Sequence, residues 1–454
     1  MVAGLTDVPA FGGSGHPCAG MSLGLKVLVL CAAMSACEAE ESGGGQRGAV
    51  SESDQGGPLR AGAVESDARK EPRRYRLSDQ PLLQIGSAAG DGEVAFHGIT
   101  GAVRLPSGHI VVANSGAWEL KFFDPHGGFL AVAGRYGDGP GDFRSLSRIG
   151  ALREDRVAAV DRLVGRVSVF SSDGVLERTY NVSQVLGGVG RGTEWYGFLA
   201  NGTLVGVETV AGRGTEARYG DYPTSALVYK VPIVQPVLID SLGQAVPFAR
   251  TMPGDETLSE MRMSSEDGMM RVGGVRTVMP FLNSAAVAVR GSSVAVGHTS
   301  ASPITLYSAQ GRPRAFFALE MESLEDPEGK RRAWIDDRTS GFGDRGVRRI
   351  WRARYEEFMS ATPASLPAFK SLLLQEGGNV WVEVFDPSAD ANTPSRWIVQ
   401  DPFNVGDFED AIVELPPGFR PYDIGSDYVL GEWRDELGVE FVQMYGLIEV
   451  ASDR

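Results

Sequence analysis

Short apolar runs alternate with polar turns along most of the chain, and one such unit recurs. Each copy has an apolar residue, a polar or glycine-containing turn, several strand-forming residues and then one polar residue. The copies are LPSGHIVVAN, LREDRVAAVD, LANGTLVGVE and VRGSSVAVGH, which end at Asn114, Asp161, Glu208 and His298. Repetition of a strand unit at this scale is typical of a β-propeller.

A second unit recurs in step with the first. An apolar strand residue is followed by Asp or Ser, two further residues and Gly, in FDPHG, FSSDG, IDSLG and YSAQG. Asp or Ser opens a tight turn by bonding the backbone ahead, and Gly accepts the positive φ that such turns require. The copies that begin at Phe123 and Phe170 are separated by about the length of one four-stranded blade. The wider spacing to Ile239 and Tyr307 predicts insertions between the later blades.

These units predict an all-β, six-bladed propeller. Residues 251–278 are rich in Met and Gly and lack a paired strand pattern, so no seventh blade is expected there. We expect Tyr75 to Ile85 to supply the outer strand of the last blade, because this closure removes exposed strand edges. The predicted blades lie at residues 97–135, 145–182, 193–250, 279–319, 369–416 and 419–448, the last being completed by 75–85.

One helical insertion interrupts the strands at residues 320–366, between blades four and five. In GVRRIWRARYEEFM, Val347, Trp351, Tyr355 and Phe358 share one helix face. Lys330 to Arg354 contains nine Lys or Arg and three Asp. The helix could cap the ring with its aromatic stripe, leaving the arginines in water or paired with carboxylates. Alternatively, its charge could serve an anionic ligand, an anionic lipid surface or an acidic partner.

The N-terminal region resembles a bacterial export signal. After Met21 come Lys26, the apolar stretch VLVLCAAMSA and Cys37, and this stretch is too short to span a bilayer. Met34-Ser35-Ala36-Cys37 resembles a lipobox, which implies acylation of Cys37. An ordinary cleaved signal or an uncleaved apolar leader is the alternative. We predict a leader and signal at 1–37 with the true start at Met21, a flexible linker at 38–74 and the propeller at 75–450.

Charge and cysteine content narrow the function classes. The net charge is −15, which argues against a nucleic-acid partner, because phosphate binding needs a basic face. All three cysteines precede residue 38. If Cys37 is acylated and begins the mature chain, cysteine nucleophiles, disulfides and zinc–thiolate sites are excluded together.

Three segments resemble a bacterial family of six-bladed propeller lipoproteins related to NHL-repeat proteins. GRYGDGPGDF, at Gly134 to Phe143, is similar to the family's G-x-G-E-G-P-G-E-F stretch, with Asp142 where the family often has Glu. LPAFKSLLLQEGGNVWVEVF and YVLGEWRDELGVEFVQMYGL also match. The resemblance covers residues 75 to 450. It implies the fold and a lipid-anchored place in the cell envelope, at the outer membrane and either periplasmic or surface-exposed, but no activity.

Candidate functional residues gather at one predicted face. The second strand of each blade runs back to the face where the inner strand begins, so the polar residues that end it share that face. These are Asn114, Asp161, Glu208, His298 and, from the YVLGE match, Glu432. They could cap the following turns through backbone hydrogen bonds, or their oxygens could bind calcium.

Three further residues belong to the same face. Asp138 and Asp142 lie in the YGDGPGDF loop and could contact a ligand or cation, or the loop could simply connect two blades and pack Phe143. His97 lies near the first inner strand and is the histidine to test as a general base. No residue is assigned a catalytic role.

The function predicted from the sequence is a non-catalytic, lipid-anchored binding or scaffold protein of the cell envelope. Its monomeric head would use the polar face for an envelope protein or a small ligand. The alternative is a calcium-dependent propeller hydrolase or lyase acting on a lactone, ester or glycan, with calcium as the cofactor. The long tether, the absence of nucleophile motifs and the small number of histidines favour the binding or scaffold protein over the enzyme.

Overall fold

The computed structural model describes residues 74–450 except for 88–91, 183–193, 218–224, 267–268, 278–280, 301–302, 319–325, 342, 361, 363–365, 390–391 and 404–410. The predicted signal with Cys37, and the predicted linker up to residue 73, lie outside the described residues. In chain order, the strands are β1 (Arg74–Leu77), β2 (Leu83–Ile85), β3 (Ile99–Arg104), β4 (Ile110–Asn114), β5 (Glu119–Phe123), β6 (Phe129–Ala133), β7 (Leu146–Leu152), β8 (Arg156–Asp161), β9 (Arg166–Ser171), β10 (Leu176–Asn181), β11 (Glu194–Phe198), β12 (Leu204–Ala217), β13 (Ser225–Ile239), β14 (Ala245–Pro247), β15 (Met252–Pro253), β16 (Thr257–Glu266), β17 (Met269–Thr277), β18 (Ala285–Arg290), β19 (Ser293–His298), β20 (Ile304–Ser308), β21 (Pro313–Phe317), β22 (Phe369–Leu374), β23 (Val380–Val384), β24 (Ser395–Gln400), β25 (Ala411–Leu415), β26 (Phe419–Ile424), β27 (Tyr428–Arg434) and β28 (Glu440–Val450). The helices are α1 (Pro327–Ser340) and α2 (Arg345–Ser360), with a 3₁₀ turn at Ser115–Ala117.

Six antiparallel sheets form a closed six-bladed β-propeller, as predicted. Blades one, two, four and five are the four-stranded sheets β3–β6, β7–β10, β18–β21 and β22–β25. The first strand of each blade is the inner one, and the inner strands β3, β7, β11, β18, β22 and β26 contact one another in ring order. We call the face where the inner strands begin the top face, and the opposite one the bottom face.

The two ends of the described chain close the ring in blade six. The sheet β26-β27-β28 is completed on its outer edge by β1 and β2, with Arg74 opposite Val450 and Ile85 opposite Val442. This pairing confirms the predicted closure. The outer strand enters at the bottom face and rises to the top face, where it leads into blade one.

Blade three differs from the prediction. The expected strand end at Glu208 is wrong, because β12 continues to Ala217 and pairs with β13 along that length. Residues 251–278 also contain paired strands, since β16 and β17 form a hairpin and β16 pairs with the first half of β13. These segments extend sheet three into a long arm and do not form a seventh blade.

The recurring turns behave as the sequence indicates. In blade one, Asp124 Oδ1 accepts hydrogen bonds from the backbone N–H groups of His126 and Gly128, at 2.7 and 2.9 Å. These bonds hold the pKa of Asp124 below its usual value. Gly127 has φ 85°, in the region that favours glycine. This local chemistry joins the third and fourth strands of the blade.

Apolar side chains fill the spaces between neighbouring blades. Between blades one and two, Phe143 is 1% exposed and packs with Phe122, Leu146 and Phe170. Between blades five and six, the ring centroids of Trp381 and Trp397 lie 6.3 Å apart. These wedges fix the spacing of the inner strands and therefore the shape of the central channel.

The predicted insertion contains two helices, which pack on loops at the top face. Trp334 of α1 lies between Phe281 and Tyr355, with ring centroids 5.7 and 5.2 Å away. Tyr355 and Phe358 of α2 pack there as the stripe predicted. Val347 and Trp351 on that stripe are 41% and 43% exposed. Neither of the described helices is long and apolar enough to span a membrane.

Candidate functional site

Two of the predicted polar residues accept hydrogen bonds from the backbone just before the inner strand of their own blade. Asn114 is buried, and its Oδ1 accepts a hydrogen bond from the His97 backbone N–H at 2.6 Å. Asp161 is completely buried and accepts four backbone N–H bonds, from Arg144 and Ser145 before the inner strand and from Leu163 and Val164 in its own turn. These contacts supply the capping role that the sequence left open.

The other predicted strand-end residues have different surroundings. His298 is 6% exposed, its Nδ1 bonds Ser300 Oγ at 2.7 Å, and its Nε2 is buried without a partner among the described residues. Burial lowers the pKa of His298. Glu432 is 3% exposed and accepts hydrogen bonds from Tyr422 and Arg434. Glu208 is half-buried, within β12.

The loop between blades one and two is held by arginines. Asp138 pairs with Arg144, while Asp142 pairs with Arg135 and accepts the Gly139 N–H at 3.2 Å. The exposed His97 lies beside Val439 and Glu440 in a small cleft, outside the lining of the central channel. Across the described part of the chain, no three His, Cys, Asp or Glu residues are grouped to hold a metal ion.

The axial channel is part of one large concavity. This cavity of about 2500 Å³ is lined by residues from all six inner strands and, on blade five, also from β24 and β25. Its lining extends from Thr299, Ser300 and Trp334 near the top face to Gly291 and Asp427 near the bottom face. A small-molecule site is usually a concavity of this kind with a few convergent polar groups.

Irregularities in the inner strands place polar side chains near the top of the channel. In blades one, two, three and five, the register between the first and second strands shifts close to the beginning of the inner strand. In blade six it shifts between Pro421 and Asp423, past the middle of β26. The residues passed over by these shifts are Thr100, Ser147, Tyr196, Lys370 and Tyr422. A β-bulge re-aims side chains and is frequent beside functional sites. All of these residues except Ser147 line the channel.

Two arginines come together at this level. Arg148 of β7 and Arg420 of β26 both line the channel, on the two blades that flank blade one. Arg148 is fixed by a bond from its Nε to the Trp195 carbonyl oxygen at 3.2 Å. Arg420 lies over the Tyr422 ring, 5.5 Å from its centroid. Burial and, second to it, the charge of Arg420 lower the pKa of Arg148.

Two tyrosines complete this upper cluster. Burial raises the pKa of both Tyr196 and Tyr422, so their hydroxyl groups stay protonated at neutral pH. The Tyr422 hydroxyl lies 3.2 Å from the Ile99 carbonyl oxygen and 2.9 Å from Glu432 Oε2. We refer to Arg148, Arg420, Tyr196 and Tyr422 as the upper arginine cluster.

The bottom of the channel is built differently. Arg290, at the end of β18 in blade four, reaches blade six and pairs with Asp423, which is 5% exposed. Asp423 Oδ2 also accepts the Tyr428 hydroxyl at 2.8 Å and the Arg104 backbone N–H at 3.0 Å. The Arg104 guanidinium lies 4.8 Å from the Tyr428 ring centroid. We refer to this network as the lower closure.

The sequence patterns did not predict the upper arginine cluster. The predicted site residues end the second strands, whereas the cluster lies on inner strands. One signal was available, because Arg148 in LSRIGAL and Arg420 in FRPYDI each place a long cation where the strands nearest the axis are otherwise mostly apolar. The sequence could not show that the two strands flank the same blade.

Comparison with known proteins adds little to this geometry. No protein-family model and no curated protein matches the chain. A Bacteroides fragilis protein described as exported has a TM-score of 0.44 and 13% identity, over 83% of this chain and 96% of its own. A DUF4221-family member from Bacteroides vulgatus has 0.44 and 9%, over 84% and 100%. Virginiamycin B lyase from Staphylococcus aureus has 0.39 and 8%, over 83% and 100%. At this level the similarities assign no family and no function.

Proposed function

We propose that the protein is a lipid-anchored binding protein of the bacterial cell envelope, whose propeller head holds a small ligand in the upper part of its channel. The observation that carries this proposal is the cavity of about 2500 Å³ lined by all six inner strands. Bulged strands turn Thr100, Tyr196, Lys370 and Tyr422 toward it. Large volume and convergent polar groups are the usual properties of a ligand site.

The chemistry of the upper channel favours binding over catalysis. Arginine stays protonated in proteins, and burial keeps the Tyr196 and Tyr422 hydroxyls protonated at neutral pH. The Glu383 carboxylate is bound to Lys370 Nζ and Ser371 Oγ at 2.7 and 2.6 Å. Such groups hold a ligand by charge and hydrogen bonds, without the poised acid or base that proton transfer requires.

The lipid anchor is supported by the lipobox-like sequence ending at Cys37. The first described strand begins at the bottom face, with Arg74 opposite Val450. The test is Cys37→Ser, which should move the full-length protein from the membrane to the soluble fraction. Detergent-dependent fractionation unchanged by the substitution would contradict the anchor.

Ligand binding is tested on the full-length protein purified in mild detergent. After denaturation, mass spectrometry of the supernatant should detect one small molecule in a fixed ratio to the wild-type chain. Lys370→Trp should reduce its yield, because Lys370 lines the channel with a side chain 64% exposed. Arg178→Trp, on exposed outer strand β10, is the matched control and should leave the yield unchanged.

Two results would count against this function. One is a wild-type protein that releases no small molecule and whose Tm is unchanged by a panel of envelope metabolites. The other is one tightly held calcium ion per chain, lost together with a hydrolase or lyase activity in Asp161 and Glu208 variants. That second result would favour the enzymatic alternative.

A further inference from the structure

We propose that the upper arginine cluster is an anion subsite, which binds a small polyanion bearing carboxylate or phosphate groups. The inference rests on the proposed function and specifies its ligand class. It starts from a juxtaposition made by the ring alone: Arg148 belongs to blade two and Arg420 to blade six, and blade one lies between them. Both side chains line the same cavity.

The two arginines are not neutralised by the described protein. Neither forms an ion pair with a carboxylate of any described residue. The nearby Glu432 already binds Tyr422 and Arg434, and Glu194 affects Arg148 less than Arg420 does. Two permanent cations in a channel wall repel each other, although Arg420 is exposed and Arg148 half-buried, so that water screens part of the repulsion. A bound anion would remove this cost.

The donors at the cluster suit carboxylate or phosphate. Because Arg148 Nε is held by the Trp195 carbonyl oxygen, the guanidinium is oriented and its two terminal nitrogens remain to bind a ligand. Arg420 is held over the Tyr422 ring, and stacking of this kind orients a guanidinium plane. Planar guanidinium groups bind carboxylate and phosphate through paired N–H···O bonds.

The lower closure supports this interpretation by contrast. At the lower closure the fold supplies a counter-charge for Arg290 in Asp423, and the Arg104 guanidinium lies over the Tyr428 ring. Lys370, on blade five, is likewise paired with Glu383. In this acidic chain with a net charge of −15, carboxylates are abundant. Their absence from the described ion pairs of Arg148 and Arg420 therefore points to an outside anion.

The test is isothermal titration calorimetry on the full-length protein in mild detergent at low ionic strength. Citrate and inorganic pyrophosphate are the probes, so that the two arms separate carboxylate from phosphate ligands. At least one probe should bind the wild type. Arg148→Gln and Arg420→Gln should each weaken that binding about tenfold or more, as expected for the loss of a charge-assisted hydrogen bond.

Arg178→Gln is the matched control. Arg178 and Tyr180 are spaced like Arg420 and Tyr422, with the guanidinium 6.0 Å from the ring centroid, but they lie on outer strand β10. Its substitution should leave probe affinity unchanged. Arg148→Lys, which retains the charge, should bind more tightly than Arg148→Gln.

A thermal melt without anion distinguishes a binding role from a structural one. Removing one of two repelling cations should leave the Tm of Arg420→Gln unchanged or raise it, and added anion should raise the Tm of the wild type more than that of the variant. A lowered Tm with unchanged probe affinity would show a structural role and overturn the inference.

Two further outcomes would overturn it. The first is no binding of either probe up to about 10 mM, a concentration above any specific affinity expected for paired charges. The second is a neutral or cationic molecule released from the wild-type channel in equal yield from both glutamine variants. This second result would leave the proposed ligand-binding function standing and remove only the anion subsite.

Discussion

The two levels of the axial channel use arginine in opposite ways. In the lower closure, Arg290 meets Asp423, which also accepts bonds from Tyr428 and from the Arg104 backbone. In the upper cluster, Arg148 and Arg420 line the same cavity, and neither has a carboxylate partner among the described residues. The fold therefore supplies a counter-charge for Arg290 but none, among the described residues, for Arg148 and Arg420, which makes the upper pair the candidate ligand contact.

The largest expected effect comes from removing the counter-charge of the lower closure. Asp423→Ala would leave the Arg104 N–H without its acceptor and the Arg290 guanidinium with only the Tyr428 hydroxyl and the more distant Glu376 carboxylate. Because breaking a buried ion pair leaves the other charge without its partner, we expect a loss of about 3–5 kcal/mol in the free energy of unfolding. Urea denaturation of the full-length protein, followed by tryptophan fluorescence, measures this loss.

A neighbouring carboxylate provides the control for this substitution. Glu376 is also near Arg290, at 4.0 Å, but its side chain is 64% exposed. Glu376→Gln should therefore change stability by no more than about 0.5 kcal/mol. The double variant Asp423→Ala with Arg290→Leu should recover part of the loss. Equal costs for Asp423→Ala and Glu376→Gln would mean that the closure is no more than a surface ion pair.

The next effect concerns Asp161 at the top face, whose carboxylate has hydrogen-bond donors within the protein. Its carboxylate accepts four backbone N–H bonds at 2.5 to 3.3 Å. Asp161→Ala should cost about 2 kcal/mol, in the range of a lost helix cap, and Asp161→Asn should cost less because one acceptor oxygen remains. Calcium that stabilises the wild type but not Asp161→Ala would instead identify this residue as a cation ligand.

The fold was predictable because the turn and strand signals that specify it are local in the sequence. The turn at Asp124 to Gly128 contains its own hydrogen bonds and its positive-φ glycine, and it recurs in other blades. The hairpin of β16 and β17 was not predictable in this way. MRMSSE and MMRVGGVRT lack a clear two-residue alternation. Their place in the sheet depends on pairing with β13, whose length no local signal reveals.

The site was harder to predict than the fold because its residues are distant in the sequence. The strand-end positions Asn114 and Asp161 were identified from a repeat, and the structure places both in backbone capping. Arg148 and Arg420 belong to no repeat. They meet only after six blades have closed, and a register shift in one strand alters which side chains face the axis.

The smallest expected effect is a pH dependence at His298, whose buried Nε2 has no partner among the described residues. Burial lowers its pKa below the ordinary value of 6.5, while the weaker effect of Glu256 raises it. As the pH falls below about 6.5, the unfolded chain therefore takes up more protons at this residue than the native protein does, so stability decreases. The slope is at most about 1.4 kcal/mol per pH unit.

In His298→Asn, an amide replaces Nδ1 beside Ser300 and cannot titrate. Urea midpoints between pH 5.5 and 7.5 should fall more steeply toward acid in the wild type than in this variant. Parallel curves would mean that the pKa of His298 is the same in the native and the unfolded protein.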